Sequence, residues 1–202
     1  QLTLQIIEAL HTQCHALGIT HVDIKPGNII VDLEAMRVNI VDYALSFNQP
    51  LLCSKPMGTY VYMAPEVIEF GSISTASDVY SLAKVIYQIW RPQYFNSYLN
   101  AKTIADICVL NKALIDDIVQ HNHVFATSAI IEDALHHILH IDPNARPSID
   151  EVLADCNQYH RSAVGQELTT LALHIKSIDD ITIQPQCDTA LASFNKQYIS
   201  TT

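Results

Sequence analysis

The stretch His21-Val22-Asp23-Ile24-Lys25-Pro26-Gly27-Asn28 places a carboxylate, an ammonium and an amide within six positions of a Pro/Gly turn. A loop of that kind can aim all three groups at one spot. The chemistry that needs this set is phosphoryl transfer, which is mainly positioning and electrostatics. Asp23 would accept or orient a substrate hydroxyl, Lys25 would neutralise charge on the moving phosphoryl group, and Asn28 would hold a metal through its amide oxygen. Asp42 follows at the end of a short apolar run, and a carboxylate on a strand end is a natural Mg²⁺ ligand, because that ion takes hard oxygen donors. Asn28 and Asp42 would then share a metal site.

The elements that must position these groups follow from apolar spacing. Residues 1 to 18 read as an amphipathic helix, with Ile7, Leu10, Cys14 and Leu17 three and four apart and Gly18 as its stop. Ile29 to Val31 and Val38 to Val41 read as a hairpin around the turn from Asp32 to Arg37. Residues 44 to 66 carry Pro50, Pro56, Gly58 and Pro65 without a sustained period and are expected to be a long irregular, functional segment. From Ser77 to Trp90 apolar residues cover most of a helix surface, the pattern of a buried central helix. Further helices are expected over 101–120 and 129–141, with another opening at Pro147 to Glu151, proline in its first turn. In the tail, one helix is expected around Glu167 to Ile175.

The chain has 202 residues, 49% of them apolar and 16% charged, enough for one globular domain with a core. No apolar run is long enough to span a membrane. A formal net charge of −10 argues against nucleic-acid binding, which needs a basic stripe. Five cysteines with no CxxC or Cys/His ligand spacing suggest neither a disulfide framework nor a zinc site, and fit reduced thiols in the cytoplasm. Secretion into a host as an effector stays open as the other compartment. Gln1 is neither an initiator Met nor part of a signal peptide, so a segment of a longer protein is expected.

These residues resemble the catalytic and metal loops of eukaryotic-type protein kinases, whose pattern runs H-R-D-L-x-x-x-N, D-F-G, A-P-E. Here His21 to Asn28 stand for the first and Asp42-Tyr43-Ala44 for the second. Gly58 to Glu66 resembles the segment ending in A-P-E, Ser77 to Leu82 the start of the family's central helix, and Asp142-Pro143-Asn144-Ala145-Arg146-Pro147-Ser148 the stretch near the domain's end. The resemblance implies a mainly helical fold with a small β-hairpin, the large C-terminal lobe of a protein kinase, over residues 1–157, followed by a partly helical tail over 158–202. It implies ATP with Mg²⁺ or Mn²⁺ as cofactors, held by Lys25, Asn28 and Asp42, and a protein substrate offering Ser or Thr. It also implies that Glu66 pairs with Arg146, that Asp78 holds the backbone near His21 and Val22, and that Thr59 bridges toward Asp23 and Lys25. A lysine two positions after the catalytic aspartate is similar to the Ser/Thr class.

Three departures qualify the resemblance. Val22 stands where kinases switched by loop phosphorylation carry Arg, so activity is expected not to require phosphate on Ser46, Ser54 or Thr59. Ala44 replaces a glycine and is expected to restrict that loop. No G-x-G-x-x-G and no V-A-I-K lysine occur, so the ATP-clamping small lobe is expected in sequence preceding Gln1. Two other functions stay open: a truncated or catalytically silent lobe that docks on a kinase or its substrate, and a small-molecule kinase of related fold. The peptide-type segment 58–66 argues against the second, the retained Asp23, Lys25, Asn28 and Asp42 against the first.

Overall fold

In a computed structural model the chain divides into two compact units, residues 1–160 and 161–202. The structure describes residues 2–32, 34–35, 37–90 and 137–158, with isolated positions between 92 and 113. The helices expected over 101–120 and around 167–175, and most of the one over 129–141, lie outside the described residues.

Helix α1 (Leu2–Gln13) buries Thr3, Ile6, Ile7, Ala9 and Leu10 along one face, the stripe that a 3.6-residue period demands. The chain then tightens into a 3₁₀ turn, His15–Leu17. This change of pitch breaks the expected stripe: Cys14 is fully buried, but Leu17 is 65% exposed.

A second 3₁₀ turn, Pro26–Asn28, leads into strand β1 (Ile29–Asp32), which pairs antiparallel with β2 (Arg37–Ile40) in the register Ile29 to Ile40. The turn between them is closed by Asp32, whose Oδ1 accepts from the backbone N–H groups of Glu34 and Ala35 at 3.0 and 2.9 Å. Val38 and Ile40 face the core. The amide of Gln13 extends the sheet sideways: its Nε2 donates to Val38 O at 2.8 Å, and its Oε1 accepts from Ile40 N at 2.9 Å. The hairpin is thereby fastened to the end of α1.

The segment after the hairpin is irregular but pinned. Thr20 and Phe47 exchange backbone hydrogen bonds of 2.8 and 3.0 Å. Strand β3 (Leu51–Leu52) pairs with β4 (Ser72–Ile73) on the far side of helix α2 (Pro65–Phe70). At Gly71, φ is +66° and an added Cβ would fall 2.0 Å from the carbonyl oxygen of Cys53, so only glycine fits.

Helix α3 (Thr75–Trp90) runs through the middle, and every residue from Ser77 to Tyr87 is buried. Burying Val79, Leu82, Val85 and Ile86 contributes about 1.5–3 kcal/mol each, which anchors the helix in the core. Helix α4 occupies residues 149–158. Its start differs from the expectation. Pro147 lies before the helix, and Ser148 caps it, with Ser148 N donating to Glu151 Oε2 at 2.8 Å and Glu151 N to Ser148 Oγ at 3.3 Å. Such a capping box satisfies two otherwise orphaned donors. Among the described residues no helix is long and apolar enough to cross a membrane.

Candidate functional site

The loop after the 3₁₀ turn is suspended from α3. Asp78, in the helix's first turn, accepts from His21 N at 2.6 Å and from Val22 N at 2.8 Å, and His15 Nε2 lies 3.2 Å from the same carboxylate. Val22 sits at φ +77°, a left-handed conformation that is a true outlier for a β-branched residue. Backbone strain of this sort costs about 1–3 kcal/mol and persists where surrounding contacts over-determine it. The Asp78 carboxylate and the Thr20–Phe47 bridge supply those contacts.

His21 is fully buried and works with both ring nitrogens. Asp23 N donates to its Nδ1 at 3.3 Å, which leaves Nε2–H to donate to Val41 O at 3.0 Å. The network thus assigns the neutral Nε2–H tautomer, and the ring couples the loop to the end of β2.

Asp23, Lys25, Asn28 and Thr59 form one hydrogen-bonded cluster. Lys25 Nζ donates to Asp23 Oδ2 at 2.6 Å and to Thr59 Oγ1 at 3.0 Å, and the Thr59 hydroxyl donates to Asp23 Oδ1 at 2.7 Å. Asn28 Nδ2 donates to Asp23 O at 2.9 Å and approaches Asp23 Oδ2 at 3.3 Å. Burial pushes the Asp23 carboxyl up, but the hydrogen bonds from Lys25 and Thr59 and the Lys25 charge outweigh it and hold the group below its ordinary range. Thr59 reaches the loop because Gly58 passes so close that an added Cβ would lie 2.7 Å from Val22 O, at φ +104°.

Asp42 stands apart. It is exposed, at φ +65°, and makes no hydrogen bond or ion pair among the described residues. Val41 N donates to Asn28 O at 2.9 Å, so Asn28 and Asp42 emerge at the same open end of the hairpin. The left-handed residue of this turn is Asp42, and Ala44 lies outside the left-handed region. Tyr43 braces the turn: its ring meets His21 edge-on at 5.0 Å, and its hydroxyl lies 3.7 Å from Cys14 Sγ. Desolvation pushes the Cys14 thiol up to about 11 and the Tyr43 phenol up to about 12, so both stay protonated at neutral pH.

Glu66 and Arg146 meet elsewhere, at the base of α3. Arg146 Nη1 and Nη2 donate to the two carboxylate oxygens at 2.6 and 2.7 Å, and Ser77 Oγ donates to Glu66 Oε1 at 3.1 Å. The remaining guanidinium donors reach the carbonyls of His140, Ile141 and Ala76 at 2.7, 3.2 and 3.0 Å.

Reading the sequence missed His15, Cys14 and Gln13 as partners of the site. His15 lies six residues before His21 in a 3₁₀ turn, and no spacing rule ties it to an aspartate 63 positions on. Among the described residues no three His, Cys, Asp or Glu side chains gather as a metal site. A cation at the hairpin end would therefore rest on mixed amide and carboxylate oxygens.

Comparison with known proteins bears on the same stretch. The family model described as the protein kinase domain matches residues 1–156. Serine/threonine-protein kinase STY17 of Arabidopsis thaliana is 30% identical over 155 residues, 76% of this chain and 26% of that protein. An Aurora kinase of Dictyostelium discoideum is 29% identical over 157 residues, 75% of this chain and 37% of its own length. Serine/threonine-protein kinase PDK1 of Cryptococcus neoformans var. grubii is 29% identical over 159 residues, 72% of this chain and 12% of that protein. The chain thus spans well under two thirds of these relatives.

Proposed function

This chain belongs to the protein kinase domain family, and from that premise we propose that it transfers the γ-phosphoryl group of ATP to Ser or Thr hydroxyls of protein substrates. It does so as the large lobe of a longer cytoplasmic kinase whose small lobe clamps the nucleotide. The observation that carries this reading is the cluster in which Thr59 and Lys25 both bind Asp23.

Asp23 is an anion at neutral pH, because its partners hold its carboxyl low. It acts as the acceptor that orients the substrate hydroxyl, and it takes the proton as the phosphoryl group arrives. Each carboxylate oxygen has two lone pairs, and Oδ1 uses one of them for Thr59. The other is left for the incoming hydroxyl. Lys25 spends two of its three N–H donors on Asp23 and Thr59, and the third is directed at a phosphate oxygen.

Asn28 Oδ1 and the Asp42 carboxylate are hard oxygen donors with no hydrogen-bond partner among the described residues, and this donor set suits Mg²⁺ or Mn²⁺. When bound, that ion supplies neutralisation of phosphate charge. Asn28 keeps its oxygen presented because its nitrogen is engaged by Asp23. Asp78 and His21 hold the loop so that these groups need no rearrangement at the moment of reaction. The relatives named as serine/threonine-protein kinases support the choice of acceptor.

The test is Mg²⁺-dependent phosphorylation of a generic basic protein by the full-length protein. Turnover is expected, and Asp23→Asn is expected to lower it by about 10²–10⁴-fold. A wild-type protein that incorporates no phosphate overturns the reading and leaves a docking module.

A further inference from the structure

Lys84 lies in the middle of α3 with none of its surface exposed. Its Nζ donates to Val61 O at 2.9 Å and sits 5.0 Å above the ring centroid of Tyr80. Ser81 and Gln88 share its helix face, three residues before it and four after. Ser81 Oγ donates to Tyr62 O at 2.9 Å, and Gln88 Oε1 accepts from the Tyr62 hydroxyl at 2.8 Å. One stripe of the central helix therefore grips two successive carbonyls and a hydroxyl of the segment that follows Thr59.

That grip reaches the reacting groups. Residues 59 to 63 are wound into a tight turn, with Tyr62 N donating to Thr59 O at 2.9 Å and Met63 N to Thr59 and Tyr60 carbonyls at 3.2 Å each. Thr59 in turn donates to Asp23. A shift of the Val61 carbonyl is passed through the turn to the Thr59 hydroxyl.

An ammonium is an expensive group to bury, and an apolar residue of similar length would fill the same space without that cost. A buried ammonium has to be hydrogen-bonded, and one of the bonds that Lys84 makes fixes the Val61 carbonyl. We propose that Lys84 is a positioning residue that sets the register of segment 59–64 against Asp23, and thereby the placement of the protein acceptor. The proposal rests on the kinase reading above for the acceptor's identity.

Lys84→Met in the full-length protein tests it by two readouts. In steady-state kinetics the KM for the protein acceptor is expected to rise about tenfold, the low end of what a hydrogen bond from a charged donor is worth, with the KM for ATP within about twofold of the parent. By hydrogen–deuterium exchange, amides of residues 59–64 are expected to exchange faster while those of residues 21–28 are unchanged. If Lys84→Met does not fold, Gln88→Leu, near the more exposed end of the stripe, takes the same two measurements with a smaller effect of the same selectivity. Equal rises in both KM values, an unchanged acceptor KM, or exchange that quickens equally in residues 21–28 overturns the proposal. If the wild type shows no phosphoryl transfer, the kinase reading fails, and the exchange result alone decides whether Lys84 holds the segment.

Discussion

Lys25 approaches Asp23 to 2.6 Å, and Arg146 approaches Glu66 to the same distance. In the Glu66 pair the side chains are 0% and 7% exposed, and all five guanidinium donors are spent, three of them on backbone carbonyls. In the Asp23 pair the side chains are 28% and 11% exposed, and among the described residues the ammonium keeps one donor unspent. The cation type explains the contrast. A planar guanidinium locks a carboxylate in a two-pronged grip, while an ammonium is a point charge that can exchange partners. One pair is a fastening inside the fold, and the other is more open, as the proposed phosphoryl transfer requires.

The strongest way to break this comparison is Arg146→Ala. It strands the Glu66 carboxylate in the interior and is expected to cost about 3–5 kcal/mol in chemical denaturation; a loss below about 1 kcal/mol, as for an exposed pair, would put the two pairs in one class.

Acid titration sharpens the other side. The Asp23 carboxyl is held below its unfolded value, near pH 3.9. Its contribution to stability is therefore present above that value and lost as pH falls through the folded one. The stability difference between the parent and Asp23→Asn is expected to be level at neutral pH and to vanish in acid, as read by denaturation at a series of pH values. A difference that grows toward acid would reverse the assignment.

The smallest effect concerns the segment between the two pairs. Thr59 already spends its hydroxyl on Asp23, so a test of independence from phosphorylation must spare it. Ser46→Ala with Ser54→Ala is expected to leave turnover unchanged. A large loss would mean that a phosphate on one of these serines is required and finds a cation other than the arginine that Val22 replaces.

The groups proposed to carry chemistry could be picked out in the sequence because they sit within a few positions of one another or at the ends of strongly patterned elements. Asp23, Lys25 and Asn28 share one turn, and Asp42 follows the short run Val38-Asn39-Ile40-Val41. What escaped depends on contacts between distant segments. Strands β3 and β4 are two residues each, too short to show alternation. The polar stripe of α3 was hidden because Ser81, Lys84 and Gln88 lie among apolar neighbours, and a lysine there reads as a solvated face until its carbonyl partner is brought to it. The Ser148 and Glu151 capping pair was readable by spacing, yet the neighbouring proline drew attention to the wrong position. Val22 and Asp42, the two left-handed residues other than glycine among those described, carry no sequence sign at all.

Cys53 N donates to Gly71 O at 2.9 Å where the two backbones touch. That contact makes a clasp: the chain between these residues, including Thr59 and Glu66, is a closed ring and not a free flap. A ring cannot fray from one end, and its conformational entropy is already reduced by closure. The segment must therefore open as a unit or stay shut, and a protease cut within residues 54–57 would leave both new ends held in place, by the clasp on one side and by Asp23 on the other.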